Sequence, residues 1–200
     1  MKLLNSETYQ NLAKAFAGEC MARTRYEFIE YGARKEGYVA LSEIIDKIVY
    51  NEFNHARLFY TAIQDASDKE IKNIEICGGF PFKEKWELAE NLKLAAEDEK
   101  AEVELYPKFA AAAEKEGFTD IAELFKNIAK IEAEHQKTFE TLYSKMSGGT
   151  LYKGEEKAIW KCGGCGHIHV GNSAPKTCPV CGAKQGVFLL NIQNTHRSAC

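Results

Sequence analysis

From the N-terminus to about residue 146, apolar side chains return every three to four positions, the period of an amphipathic helix. The stretch "AKIEAEHQKTF" (129–139) is typical: Ile128, Ile131, Phe139 and Leu142 mark one stripe through and around it. The pattern predicts four long helices, at roughly 5–36, 38–66, 84–116 and 118–146. Gly37 and Gly117 each follow Lys-Glu and precede an aromatic residue, which suits a glycine helix stop and a tight turn. The longer connection 67–83, containing "ICGGFPF", lets the second and third helices cross over. "SGGTLYKGEEK" reads as a linker, and from Ala158 the composition turns to Cys, Gly, Pro and short aromatic or β-branched runs. That last piece is too small to hold itself together by apolar burial and needs a staple. The expected organisation is an all-α four-helix bundle over 1–146, a linker over 147–157, a small metal-stapled β/loop domain over 158–192 and a tail over 193–200.

Two polar residues disturb the helical stripe. Glu132 falls four positions after Ile128, beside the apolar face, and His135 follows three later on the same side. A single Glu-x-x-His in so acidic a chain means little, since most such pairs are solvated surface. The bundle, however, is an internal repeat. An offset of 80 aligns "KEGYVALSEIIDKIVYNEFNH" with "KEGFTDIAELFKNIAKIEAEH", and "NLAKAFAGE" with "NLKLAAEDE", without a gap. It yields a second Glu-x-x-His, Glu52 to His55, and a matched pair of further carboxylates, Glu19 and Glu99. Four inward carboxylates without partners are very costly to bury. Two divalent cations neutralise them, and carboxylate with imidazole suits iron or manganese. One Glu from each of two helices plus Glu-x-x-His from the other two is the ligand pattern of ferritin-like di-metal bundles.

Other repeated groups carry less. Tyr26 and Tyr106 recur seven residues after Glu19 and Glu99, so they read as core tyrosines with hydroxyls turned toward the site. Glu43/Glu123 and Glu36/Glu116 need no more than helix-dipole or surface roles. Glu102 breaks the symmetry: it can reach the site from three residues past Glu99, and its counterpart is Ala22. Glu97, Asp98 and Glu104 read as surface.

The C-terminal region holds a second metal motif. Cys162 and Cys165, then Cys178 and Cys181, form two C-x-x-C pairs with twelve residues between them, each pair followed by a glycine. Four thiolates at this spacing favour tetrahedral iron or zinc. His167 and His169 then have no place as ligands. Of the remaining three of the seven cysteines, Cys20 reads as a small buried residue, Cys77 falls in the crossover and Cys200 ends the polar tail.

Composition narrows the setting. The net charge of −3 favours neither nucleic acid nor an anionic membrane. No apolar run approaches the roughly 20 residues of a membrane span, and the N-terminus lacks the apolar core of a secretory signal. A cytoplasmic location is expected, where paired cysteines bind metal rather than form disulfides.

"AFAGECMARTRY", "NEFNHA", "IEAEH" and "WKCGGCGHIHVG…APKTCPVCGA" together resemble the rubrerythrin family, over about residues 5–191. The resemblance implies a ferritin-like bundle with a non-haem di-iron centre, followed by a rubredoxin-like domain with one iron on Cys162, Cys165, Cys178 and Cys181. It implies an oxidoreductase that reduces hydrogen peroxide to water, with electrons passing from an external NAD(P)H-dependent reductase through the rubredoxin-like iron. It makes Glu19, Glu52, Glu99, Glu132 and His135 iron ligands, with Glu52 and Glu132 as bridges. Glu102 matches the family's extra carboxylate, which exchanges with the histidine at position 55 as one iron changes oxidation state. Tyr26 and Tyr106 then manage protons. Head-to-tail homodimers are implied, with the small domain of one subunit beside the di-iron site of the other. Against the family pattern, the segment before Tyr106-Pro107 is one residue shorter, which predicts a more regular third helix, and Cys20 stands where Ser is expected. The rival readings are a ferroxidase or iron-storage bundle, an oxidase reducing dioxygen, and a zinc-stapled binding module.

Overall fold

The structure is a computed structural model that describes residues 2–66, 71, 74–76, 86–154 and 156–189. Four helices dominate it: α1 (Glu7–Lys35), α2 (Val39–Gln64), α3 (Leu88–Glu116) and α4 (Thr119–Ser147). They form two antiparallel hairpins, α1 with α2 and α3 with α4, and α1 packs across α3. The repeat in the sequence is a repeat in the core. Leu12 and Leu92, Ala33 and Ala113, Tyr26 and Tyr106, Ile45 and Phe125, and Phe59 and Phe139 are all buried pairs at the same offset. Two apolar layers result, one around Tyr26, Leu41, Ile45, Leu92 and Phe139, the other around Leu12, Phe59, Tyr106, Phe109 and Phe125.

Both hairpin turns use glycine in the left-handed region, Gly37 at φ 88° and Gly117 at φ 87°. The glutamates before them act across the repeat. Glu116 accepts hydrogen bonds from the backbone N–H groups of Glu7 and Thr8, each at 2.9 Å, and from the Thr8 hydroxyl. It thereby satisfies orphan donors at the start of α1 and places a negative charge at that helix's positive end. Glu36 accepts from the Trp86 indole N–H just before α3. Each turn thus ties down the start of the other hairpin. The helix α3 runs through Pro107 as one unbroken α-helix, as its shortened segment predicts.

The C-terminal piece contains an antiparallel ribbon, β1 (Ile159–Lys161) and β2 (Ile168–Val170), with Trp160 opposite His169. Its core is Trp160, Cys162, Ala174, Cys178 and Phe188. The segment read as a linker is folded in part. Leu151 is buried in the bundle core, and Tyr152 packs against both that core and the small one. The Gly154 N–H bonds the Asn172 carbonyl and the Ala174 N–H bonds that of Tyr152. Gly186 lies so close to the α1–α2 turn that a Cβ there would sit 1.7 Å from the Gly37 carbonyl oxygen. The small domain therefore rests on the turn end of its own bundle.

Cys20 departs from expectation: it is exposed. Glu19 takes the inward direction, and the next helical position is turned about 100° away. Most of the crossover, with Cys77, lies outside the described residues, as do the tail and Cys200. Among the described residues no helix is long and apolar enough to cross a membrane.

Gly186→Ala should lift the small domain off the bundle, because its methyl meets backbone and not a movable side chain. Small-angle scattering should report a larger radius of gyration, with the spectrum of metal on the four cysteines unchanged; an unchanged radius would contradict the contact.

Candidate metal centre

Between the two apolar layers lies a polar one. Glu19 comes from α1, Glu52 and His55 from α2, Glu99 and Glu102 from α3, and Glu132 and His135 from α4. Glu19, Glu52 and Glu132 are 0% exposed and Glu99 1%. The ligand-type atoms gather into two quartets, Glu19–Glu52–His55–Glu132 and Glu52–Glu99–Glu132–His135, each within 4.8 Å. Glu52 and Glu132 belong to both. The His55 Nδ1 lies 2.8 Å from Glu132, 3.2 Å from Glu52 and 3.6 Å from Glu19. On the other side the His135 Nδ1 lies 2.7 Å from Glu132, 2.9 Å from Glu52 and 3.8 Å from Glu99. The repeat has produced two matching half-sites around a shared pair of carboxylates.

The polar atoms of this layer are incompletely partnered. Both oxygens of Glu99 and of Glu132, one oxygen each of Glu19, Glu52 and Glu102, and the His135 Nδ1 are buried without a hydrogen-bond partner. Burial pushes Glu19, Glu99 and Glu102 well above the usual carboxyl range, and neighbouring carboxylates add to it. At Glu52 burial acts the same way, but His135 and His55 outweigh it and hold the group at about 2. Burial disfavours charge on the histidines too, yet the carboxylates overcome it and raise His55 to about 12 and His135 to about 9. Two divalent ions, one in each quartet, fit this donor set: oxygen and imidazole ligands, open lone pairs and two carboxylates shared between the ions.

The tyrosines act crosswise. Tyr106 on α3 donates to Glu19 of α1 at 2.5 Å, and at the same repeat offset Tyr26 on α1 lies beside Glu99 of α3. Burial raises both hydroxyls well above their ordinary range, so they stay protonated donors. Glu102 is half-buried beside the Glu19 half-site, with its Oε2 shielded from solvent, but belongs to neither quartet. It faces Gly18, where even an added Cβ would stay 3.8 Å from its Oε1. Asp98, read as surface, instead forms a half-buried ion pair with Arg25 at 2.6 Å. Sequence reasoning also missed Asn51, whose side-chain amide lies 3.1 Å from the His135 Nε2. Both misses share a cause: a search guided by the repeat cannot see residues that the repeat does not share.

The second cluster is in the small domain. The sulfurs of Cys162, Cys165, Cys178 and Cys181 all lie within 4.8 Å of one another. Gly166 and Gly182, at φ 78° and 72°, close the two knuckles. Backbone N–H groups of His167 and of Val180 and Cys181 point at Cys165 and Cys178. Cys165 and Cys181 are exposed and Cys162 and Cys178 buried, so one side of this site is open to solvent. Neither His167 nor His169 joins it.

These features define a ferritin-like four-helix bundle with a di-iron site, joined to a rubredoxin-like four-cysteine domain. Comparison with known proteins agrees. The rubrerythrin family model matches residues 10–143 and 90–159, and the model for the rubrerythrin rubredoxin-like domain matches residues 160–188. The chain belongs to the rubrerythrin family. It is 42% identical to a rubrerythrin of Clostridium perfringens over 93% of this chain and 95% of that protein. It is 38% identical to one of Porphyromonas gingivalis, over 92% and 89%. Among solved structures, nigerythrin in a mixed-valence state superposes with a TM-score of 0.61 at 23% identity, covering 93% of this chain and 90% of that one. A Mycobacterium tuberculosis bacterioferritin matches with a TM-score of 0.62 at 18% identity, over 71% and 87%. These two likenesses concern the fold.

The raised histidine sets a pH dependence. His135 binds its proton more tightly folded than unfolded, so its stabilisation is complete below about pH 6.5 and is lost as pH rises through about 9. Ionisation of Glu19 and Glu99, also raised, works in the same direction. The melting temperature of metal-free protein should fall across that window, while the metal-loaded form should hold steady. A flat metal-free profile would contradict this account of the cluster.

Proposed function

We propose that this chain is a cytoplasmic non-haem di-iron peroxidase that reduces hydrogen peroxide to water. Electrons enter through the iron on Cys162, Cys165, Cys178 and Cys181 from an external NAD(P)H-dependent reductase. The carrying observation is the pairing, in one chain, of a buried two-ion site with a solvent-open four-thiolate site. When bound, two ferrous ions supply one electron each, the number consumed in H2O2 + 2H+ + 2e− → 2H2O.

Each protein group has a task in this reading. Glu19, Glu52, His55, Glu99, Glu132 and His135 hold the ions, with Glu52 and Glu132 shared. Glu102 is the reserve carboxylate for the ion that His55 holds. Tyr26 and Tyr106 keep protons at their hydroxyls against Glu99 and Glu19. The apolar layers on either side exclude bulk water.

A second copy completes the electron path. The small domain rests on the Gly37 turn, and Glu52 lies about 20 Å further along α2 at 1.5 Å per residue. A partner subunit's small domain, in a head-to-tail homodimer, shortens that path. The α1–α2 hairpin also leaves Phe28, Tyr31 and Tyr50 60–66% exposed, an apolar surface suited to such a partner. The likeness to bacterioferritin favours iron oxidation and storage as a second reading; a many-subunit shell on a sizing column would select it over a dimer.

The test is stopped-flow absorbance on iron-loaded protein, reduced without oxygen and mixed with peroxide or dioxygen. Rapid return of the ferric thiolate colour, much faster with peroxide, is expected; equal rates, or no colour at any stage, would overturn the proposal. Cys178→Ser should abolish turnover with an external donor but leave one oxidation of the reduced bundle site. Glu102→Ala should keep both centres loaded and slow the peroxide reaction by about 10-fold or more, the scale of a positioned acid–base or ligand group.

A further inference from the structure

The two half-sites match in their carboxylates and histidines but differ in what stands behind each histidine. On the His135 side, the Asn51 amide of α2 meets Nε2 at 3.1 Å. Asn51 directly precedes Glu52, so its backbone is fixed by a helix that also carries two of the cluster's groups. At the repeat offset the corresponding residue is Ile131, directly before Glu132. Its side chain has no hydrogen-bonding atom.

We infer that Asn51 is a positioning residue that locks His135 onto its ion, and that Ile131 leaves His55 without the same lock. The inference rests on the two-ion reading of the cluster. A histidine that offers Nδ1 to a metal carries its proton on Nε2, and that N–H needs an acceptor. The Asn51 amide supplies one, since a half-turn about its last torsion exchanges Nδ2 for Oδ1 at the same place. It equally serves the ring without an ion, accepting at Oδ1 while His135 carries its second proton and donating from Nδ2 when Nε2 holds a lone pair. An amide is the side chain that can do both without a change of charge. The orientation of the His135 ring then persists whether or not the ion is present. Among the described residues the polar contacts of the His55 ring are all at Nδ1, beside a ring contact with His135 at 5.8 Å, and it is the histidine on the side where Glu102 waits. One half-site is built to hold and the other to exchange.

The test compares wild type, Asn51→Leu, Asn51→Asp and Ile131→Asn as full chains loaded with ferrous 57Fe. Iron is withdrawn with graded ferrous chelator and followed by Mössbauer spectroscopy, with the four-cysteine iron as internal control. In Asn51→Leu one bundle ion should leave at chelator levels about 10–100-fold lower, the usual cost of losing a histidine's outer partner. It should be the same ion that His135→Ala loses, and the other should be unaffected. Asn51→Asp, which keeps an acceptor, should restore retention, and Ile131→Asn should tighten the second ion. Equal weakening of both ions, unchanged retention in Asn51→Leu, or no rescue by Asp would overturn the inference. Should Asn51→Leu not fold, unchanged retention of the second ion in Ile131→Asn would overturn it instead. Failure of wild type to hold two bundle ions would instead sink the two-ion reading.

Discussion

A carboxylate layer buried between two apolar layers sets the terms for the rest of this fold. Ionised groups out of water demand compensation, and breaking such compensation typically costs about 3–5 kcal/mol. The strain of burial shows in both partners: Glu19, Glu99 and Glu102 are driven toward protonation, and neighbouring carboxylates drive the two histidines to hold charge. The helices, the crosswise tyrosines and the matched core pairs all serve to keep those groups at ion-binding distance. The bundle is best understood as a container whose contents are part of its stability, as metal sites in proteins generally are.

The small domain answers the same problem on a smaller scale. Among its described residues the buried core is Trp160, Ala174, Phe188 and two cysteines, which is little apolar surface. Four sulfurs gathered by two glycine-closed knuckles make up the difference. The two centres are opposite in access: one is enclosed by helices, the other has Cys165 and Cys181 open to solvent. That contrast is why one suits chemistry shielded from water and the other suits exchange with a partner.

Much of this was legible in the sequence, and the reason is the duplication. Helical periodicity located the four helices to within a few residues, and the repeat separated Glu19, Glu52, Glu99 and Glu132 from the many other acidic residues. C-x-x-C spacing located the second site unaided. What stayed hidden depends on tertiary contact between unlike positions. The contacts of Glu116 with Glu7 and Thr8, of Arg25 with Asp98 and of Asn51 with His135 each join positions that the repeat does not align with one another. Cys20 was misplaced because a small residue beside a ligand looks buried until the helix rotation is counted. The packing of Leu151 and Tyr152 was hidden by glycines that made their surroundings read as a flexible tether.

Each quartet draws three groups from one hairpin and one from the other. Neither hairpin alone can complete a site, so two identical hairpins would have to pair, and every feature of one half-site would then appear in the other. Covalent fusion removes that obligation. Once the halves are encoded separately, a glutamate can stand at position 102 opposite an alanine, and an asparagine at 51 opposite an isoleucine. The single chain buys its two ions the freedom to differ, which no symmetric pair of copies could give them.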